Sequence, residues 1–197
     1  PQVVARTEAE LQRLAPDRRC RTAEDVVDLV RRLGPIDTAS VRARTADEVE
    51  EQVGPWLERL RADRRLLQVR VAGHDRWAVV EDAARLRDAL GVGLPPGIPE
   101  ALLRPVPDSL ADLVARYART RGPFRAGDLA GWLGIGRWVA QDALTRLAGA
   151  GRLASGRLRP PEAPALGEIS GAGEGRTNDT RAGDGSASDG GTGDGAR

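Results

Sequence analysis

No lysine occurs anywhere in this sequence, so all 30 of its basic residues are arginines. A Walker-type phosphate loop requires a lysine after its last glycine, so that nucleotide site is excluded. GC-rich coding also produces an all-arginine complement, so no arginine is read as a ligand on residue type alone. Methionine is absent and the first residue is Pro1, so the sequence is expected to be a portion of a longer chain. A single cysteine, Cys20, excludes an internal disulfide and a thiolate zinc site, and it reads as a bystander. A single histidine, His74, excludes a two-histidine metal site, so neither metal nor cofactor is expected here. Aromatic residues make up only 3%, which implies a core of Leu, Val and Ala. No apolar run approaches the roughly 20 residues needed to cross a bilayer. No signal segment opens the sequence. A cytoplasmic setting of bacterial type with no membrane partner is expected.

Apolar content of 40% with 30% charged residues fits a globular chain. The net charge of +1 hides an asymmetry. From residue 161 onward, seven acids face only Arg176, Arg181 and Arg197, which leaves −4 there and +5 on residues 1–160. A modest positive charge on the folded part is compatible with nucleic acid without demanding it. Residues 161–197 hold ten of the 24 glycines and almost no large apolar residue. Such a segment cannot offset roughly 1–2 kcal/mol of backbone entropy per residue, so a disordered Gly-rich tail is expected. At the other end, residues 1–21 read as a linker, within which "EAELQRL" is compatible with a short helix and "APDRRCR" with a loop.

Between these ends one pattern occurs twice. Each copy runs helix, Gly-Pro, helix, turn, helix ending in "RL", then a small hairpin, with Gly34-Pro35 and Gly122-Pro123 marking the breaks. In the first copy Val26, Val27, Leu29, Val30 and Leu33 form the apolar side of a helix. Thr22 and Asp25 have the spacing of a capping box, and Asp37 is a candidate N-cap for a short helix to Arg44. A third helix ends near Asp63 and starts or kinks at Pro55. "LLQVRVAGHDRWAVV" reads as a hairpin turning at "AGHD". Val69, Val71, Trp77 and Val79 alternate with Gln68, Arg70, Arg76 and Ala78 along it. His74 and Arg76 at its tip read as a solvated turn, with contact to a nucleic-acid backbone as the lesser alternative. The fold class is therefore mainly α with small β-hairpins, arranged as tandem winged-helix units. The expected divisions are 1–21 (linker), 22–94 (first unit with a linking helix), 95–107 (Pro-rich connector), 108–160 (second unit) and 161–197 (tail).

"GWLGIGRWVAQDALTRL" in the second unit poses the functional question. Its glycines belong either to a phosphate-cradling loop or to the tight turn of a helix-turn-helix. A dinucleotide loop needs a strand before the glycines, whereas "GDLAGWL" is helical in pattern. The turn is the better reading. The helix from Arg137 to Ala148 then buries Ala140, Ala143, Leu144 and Leu147 and turns Trp138, Gln141, Asp142 and Thr145 outward, with Arg137 and Arg146 flanking. That is the layout of a recognition helix. "LASGRLRP" is expected to form a wing with Ser155-Gly156 at its tip and Arg152, Arg157 and Arg159 beside it. The candidate DNA-contacting residues are Arg137, Gln141, Thr145, Arg152, Arg157 and Arg159, with backbone contacts dominant.

Two features weigh against DNA. Asp142 on the outer face repels phosphates, and Trp138 suits packing against a neighbouring domain. The first unit, with Asp47, Glu48, Glu50 and Glu51 before its third helix, reads as mainly structural. No Ser/His/Asp set or paired-carboxylate site is defensible, so this chain alone is not expected to be an enzyme.

"EDAARLRDALG", "DLVARYARTRGPF" and the final "RLRP" together resemble the C-terminal region of large helicase-related (Lhr) proteins, bacterial superfamily 2 ATP-dependent DNA helicases. The resemblance covers residues 20–160 and is strongest from Arg76 to Pro160. It implies a parent with a helicase core that uses ATP and Mg, and a C-terminal extension with tandem winged helices resembling bacterial DNA glycosylases. This sequence carries none of the ATPase motifs and departs from its relatives after Pro160. The resemblance implies a non-catalytic fragment that contacts DNA or organises the enzyme in DNA repair, with DNA and the parent's other domains as partners. Two alternatives remain open here. One is a protein-interaction or homo-oligomerisation module centred on Trp138, and the other a free-standing winged-helix transcription regulator.

Overall fold

A computed structural model describes residues 2–156. The candidate positions Arg157 and Arg159, the last part of the expected wing and the Gly-rich tail lie outside the described residues. Among the described residues no helix is long and apolar enough to cross a membrane.

The first unit is built on α2 (Ala23–Leu33), α3 (Thr38–Arg42) and α4 (Val53–Ala62). Thr22 and Asp25 form the expected capping box: the Thr22 hydroxyl accepts from the Asp25 N–H at 3.2 Å, and the Asp25 carboxylate accepts from the Thr22 N–H at 3.0 Å. Asp37 caps α3 by accepting from the Ser40 N–H at 2.7 Å. All five apolar positions of α2 are buried. Helix α4 begins two residues before Pro55, which sits in the first turn where its missing N–H has no intrahelical acceptor to satisfy. After Gly34-Pro35 breaks the chain, Ile36 exchanges backbone hydrogen bonds with Trp77 at 3.1 and 2.8 Å, a one-residue strand on the edge of the hairpin.

The hairpin itself, β1 (Leu66–Val71) and β2 (His74–Val79), turns through Ala72-Gly73 alone, because Val71 pairs with His74. Both turn residues have positive φ, 53° and 79°, the backbone of a type I′ turn. The register divides the alternating residues between two faces. Val69 lies opposite Arg76 and Gln68 opposite Trp77, so Val69 and Val71 are on one face and Trp77 and Val79 on the other. Both faces are covered. Leu66, Trp77 and Val79 join a core with α2 and α4, while Leu67, Val69, Val71 and Ala78 join a second core with the helices that follow.

That second core is completed by α5 (Ala83–Leu90), α6 (Ser109–Arg119), α7 (Ala126–Leu133) and α8 (Arg137–Gly149). The two copies of the helical pattern therefore pack on opposite faces of one hairpin. Among the described residues no second hairpin follows α8. A buried carboxylate fixes the junction. Asp82, 2% exposed, pairs with Arg85 on α5 and with Arg116 on α6, whose Nη2 donates to it at 2.9 Å.

The N-terminal residues are part of this fold rather than a linker. Helix α1 (Gln2–Leu11) leads to buried Gln12, whose amide donates to the Thr120 carbonyl at 2.5 Å and accepts from Arg44 at 2.9 Å. Cys20 is fully buried in the first core, and its backbone pairs with Arg44 and Ala46.

Candidate nucleic-acid interface

The turn between α7 and α8 decides how α8 is presented. Gly134 caps α7 in the left-handed region, at φ +69°. A Cβ there would lie 2.8 Å from Cα and 2.9 Å from N of Ala72 at the hairpin tip. The glycine thus permits both the bend and the close approach of two backbones. Ile135 packs against the second core, and Gly136 occupies the N-cap of α8 with no side chain to accept from its free N–H groups.

Behind this turn sits an aromatic corner. Tyr117 meets Phe124 edge-on at 4.9 Å and Trp132 at 5.1 Å, and the Arg121 guanidinium lies 3.7 Å over the Tyr117 ring. Burial pushes the Tyr117 hydroxyl above its ordinary pKa. Arg76, expected in a solvated turn, is instead 9% exposed and donates to the Trp132 carbonyl at 2.7 Å. Its burial pulls its pKa down, against which the charge of Asp37 acts. Alternation marks Arg76 as outward, but the outward face of β2 lies under α7. Gly34, with φ +90°, faces the same ring: a Cβ there would lie 3.0 Å from Cη2 of Trp132.

Helix α8 buries Ala140, Ala143 and Leu147 against this support. Arg137, Trp138, Gln141 and Thr145 are all exposed on the other side, at the helical spacings that bring them onto one face. Thr145 donates its hydroxyl to the backbone carbonyl of Gln141 at 2.9 Å and accepts from the Gln141 side-chain amide at 3.4 Å. Asp142 pairs with Arg146 at 3.0 Å, so its charge is opposed locally. Arg152 is exposed in the turn after α8. Trp138 is 86% exposed and Val139, which periodicity alone does not single out, 47%. Arg157 and Arg159 are not among the described residues.

Three short helices, an edge strand at Ile36 and a two-stranded hairpin are the elements of a winged helix. The family model for the winged-helix domain of large helicase-related protein matches residues 1–105, and the chain belongs to that family. A relative from Mycolicibacterium smegmatis, "Lhr helicase/ probable uracil glycosylase", is 48% identical over 159 residues, covering 80% of this chain and 10% of the relative. A second, "Lhr helicase/uracil glycosylase" from Escherichia coli (strain K12), is 42% identical over 147 residues, covering 75% of this chain and 10% of its own. The chain thus spans about a tenth of the length of the curated relatives it matches.

Proposed function

We propose that this chain is a non-catalytic winged-helix portion of an Lhr-type ATP-dependent DNA helicase that contacts DNA backbone during repair. The observation that carries this reading is the presentation of α8. A buried seam fixes the helix, a glycine turn aims it, and Arg137, Gln141, Thr145 and Arg152 stand free on the outside. The Asp142–Arg146 pair removes much of the objection that Asp142 would repel phosphates. Family membership supports a helicase parent. In this reading ATP and Mg are used by the parent's helicase core, in the cytoplasm, and this chain's role is contact and orientation.

Salt dependence tests it. Removing one arginine from a phosphate flattens the slope of log K against log salt by about one unit on duplex DNA. The double substitution Arg137→Ala with Arg152→Ala is expected to flatten it by about two, and Arg157→Ala with Arg159→Ala likewise. Wild-type slopes in both pairs would remove the assignment.

A second reading has its own observation. Trp138 beside Val139 forms an exposed apolar pair on the otherwise polar outer face of α8, as a protein-interaction or homo-oligomer contact requires. Light scattering of the chain with and without Trp138→Ala separates the two readings. Self-association that the substitution abolishes favours the interaction module, and a monomer in both forms removes self-association.

A further inference from the structure

Far along the sequence from α8, a cleft of about 490 Å³ opens between the end of α1, the turn at Pro16–Arg18 and the start of α2. Its volume falls in the range of small-ligand sites, but those are mostly apolar. This cleft has one large apolar side chain, Leu11, while Arg13, Arg18, Arg19, Arg21 and Arg32 face three carboxylates, Glu10, Asp17 and Asp25.

The carboxylates are already engaged. Glu10 pairs with Arg6 at 3.2 Å, and Asp17 with Arg18 at 3.3 Å. Asp25 accepts from the backbone N–H groups of Arg21 and Thr22, both at 3.0 Å. The arginines are not matched in the same way. Arg21 and Arg32 are exposed and make no ion pair among the described residues. Arg13 reaches only the Cys20 sulfur, at 4.0 Å. Arg19 bonds Asp47 through one guanidinium nitrogen at 2.7 Å, while its Nε is buried with no partner. Arg13 also holds a left-handed backbone, φ 55°, which a side-chain-bearing residue rarely adopts. Backbone outliers of this kind concentrate at binding sites.

Several guanidinium groups converging with spare donors fit phosphate oxygens, which accept in the planar, paired geometry that arginine offers. No aromatic side chain lines the cleft, so there is no platform on which a base could stack. We propose that this cleft is a second DNA contact, gripping the phosphodiester backbone of a nucleic-acid strand without reading its sequence. It rests on the reading of the chain as DNA-contacting and adds to the α8 face a site on the unit whose sequence reads as structural.

The test titrates the full chain with a fluorescent oligothymidylate between about 50 and 200 mM salt. Arg21 and Arg32 have no partners to orphan, so Arg21→Gln with Arg32→Gln leaves the fold intact, checked by circular dichroism. Taking two arginines off single-strand phosphates flattens the slope by roughly 1.4. Arg21→Lys with Arg32→Lys, which keeps the charge, restores most of it. Arg137→Ala with Arg152→Ala runs in parallel. An unchanged slope in the glutamine variant with a flatter one in the α8 variant overturns the cleft and leaves α8 standing. The reverse supports the cleft and confines any α8 contact to duplex DNA. No binding by the unsubstituted chain overturns the cleft, and the duplex titration then decides α8 separately. Calorimetry with inorganic pyrophosphate separates the sources of phosphate. Pyrophosphate binding that disappears in the glutamine variant, with the oligonucleotide slope unchanged, makes this a free-phosphate site and overturns the strand contact. Displacement of the oligonucleotide by polyglutamate at equal charge, abolished in the same variant, points to an acidic protein segment and overturns it too.

Discussion

Replacing Gly134 by alanine perturbs the turn on which α8 depends in two separable ways. The first is conformational: at φ +69° an L-residue costs roughly 1–2 kcal/mol. The second is steric. The new methyl would sit 2.8 Å from Cα, 2.9 Å from N and 3.0 Å from Cβ of Ala72. Ala72 cannot swing aside as a long side chain would, because it is backbone in a two-residue turn and already has φ 53°. Relief requires the hairpin tip and the α7–α8 turn to part, an overpacking cost of roughly 1–3 kcal/mol. Together these give about 2–5 kcal/mol. Gly73 provides the internal control. Its φ is +79°, but a Cβ there meets nothing within 4 Å, so Gly73→Ala carries only the conformational cost. Urea unfolding of both variants, followed by circular dichroism, measures the difference. Thermal midpoints should separate by roughly 2–4 °C per kcal/mol for a chain of this size. Equal losses in the two variants would refute the close approach, and a Gly134→Ala loss below about 1 kcal/mol would refute both contributions.

Asp82→Asn is expected to cost about 3–5 kcal/mol, because it leaves Arg116 and Arg85 without their buried anion; urea midpoints check this. Asp25 is held below the usual carboxylate range, first by the Arg21 N–H, against the opposing effect of burial, and then by the Thr22 hydroxyl and N–H. A depressed folded-state pKa contributes stability above the unfolded value, lost as pH falls through the folded one. The stability gap between the parent chain and Asp25→Asn should therefore be full at neutral pH and close below about pH 4; a gap independent of pH would contradict this. Cys20 is completely buried, and burial pushes its thiol up. Its alkylation at pH 8 should be slow in the native chain and become fast only on adding urea, as followed by mass spectrometry.

Local signals in the sequence are readable where a short segment carries its own logic. Thr22 with Asp25, Asp37 before α3 and the apolar stripe of α2 each specify a helix start or face without help from the rest of the chain. The outer face of α8 is legible for the same reason, since the small residues Ala140 and Ala143 mark the inner one. The hairpin faces are not. Alternation within each strand says nothing about which strand faces match, and that depends on a turn at Ala72-Gly73. Alanine at positive φ is an uncommon turn residue, so nothing in "VAGHD" announces the register. Arg76 is misplaced by alternation because alternation assumes one wet face, and here both are covered. Residues 1–21 are hard to place because α1 buries none of its own residues; polar Gln12, just after it, makes the tie. The arginine cleft is hidden in the sequence because an all-arginine composition makes "DRRCR" look like coding bias.

The hairpin's two covered faces have a consequence for how this chain can be divided. The family match ends at residue 105, beyond β2 but before α6. A chain stopped there would strip the cover from Leu67, Val69, Val71 and Ala78, whose neighbours Leu113, Val114, Leu129 and Leu133 lie on the missing side. The unit that recurs in sequence is therefore smaller than the unit that folds. Mechanically the hairpin acts as a keel shared by two hulls. The α7–α8 turn approaches the sheet at Ala72, and Trp77 packs the same sheet into the first helical cluster, so the two halves are joined by direct packing through the hairpin.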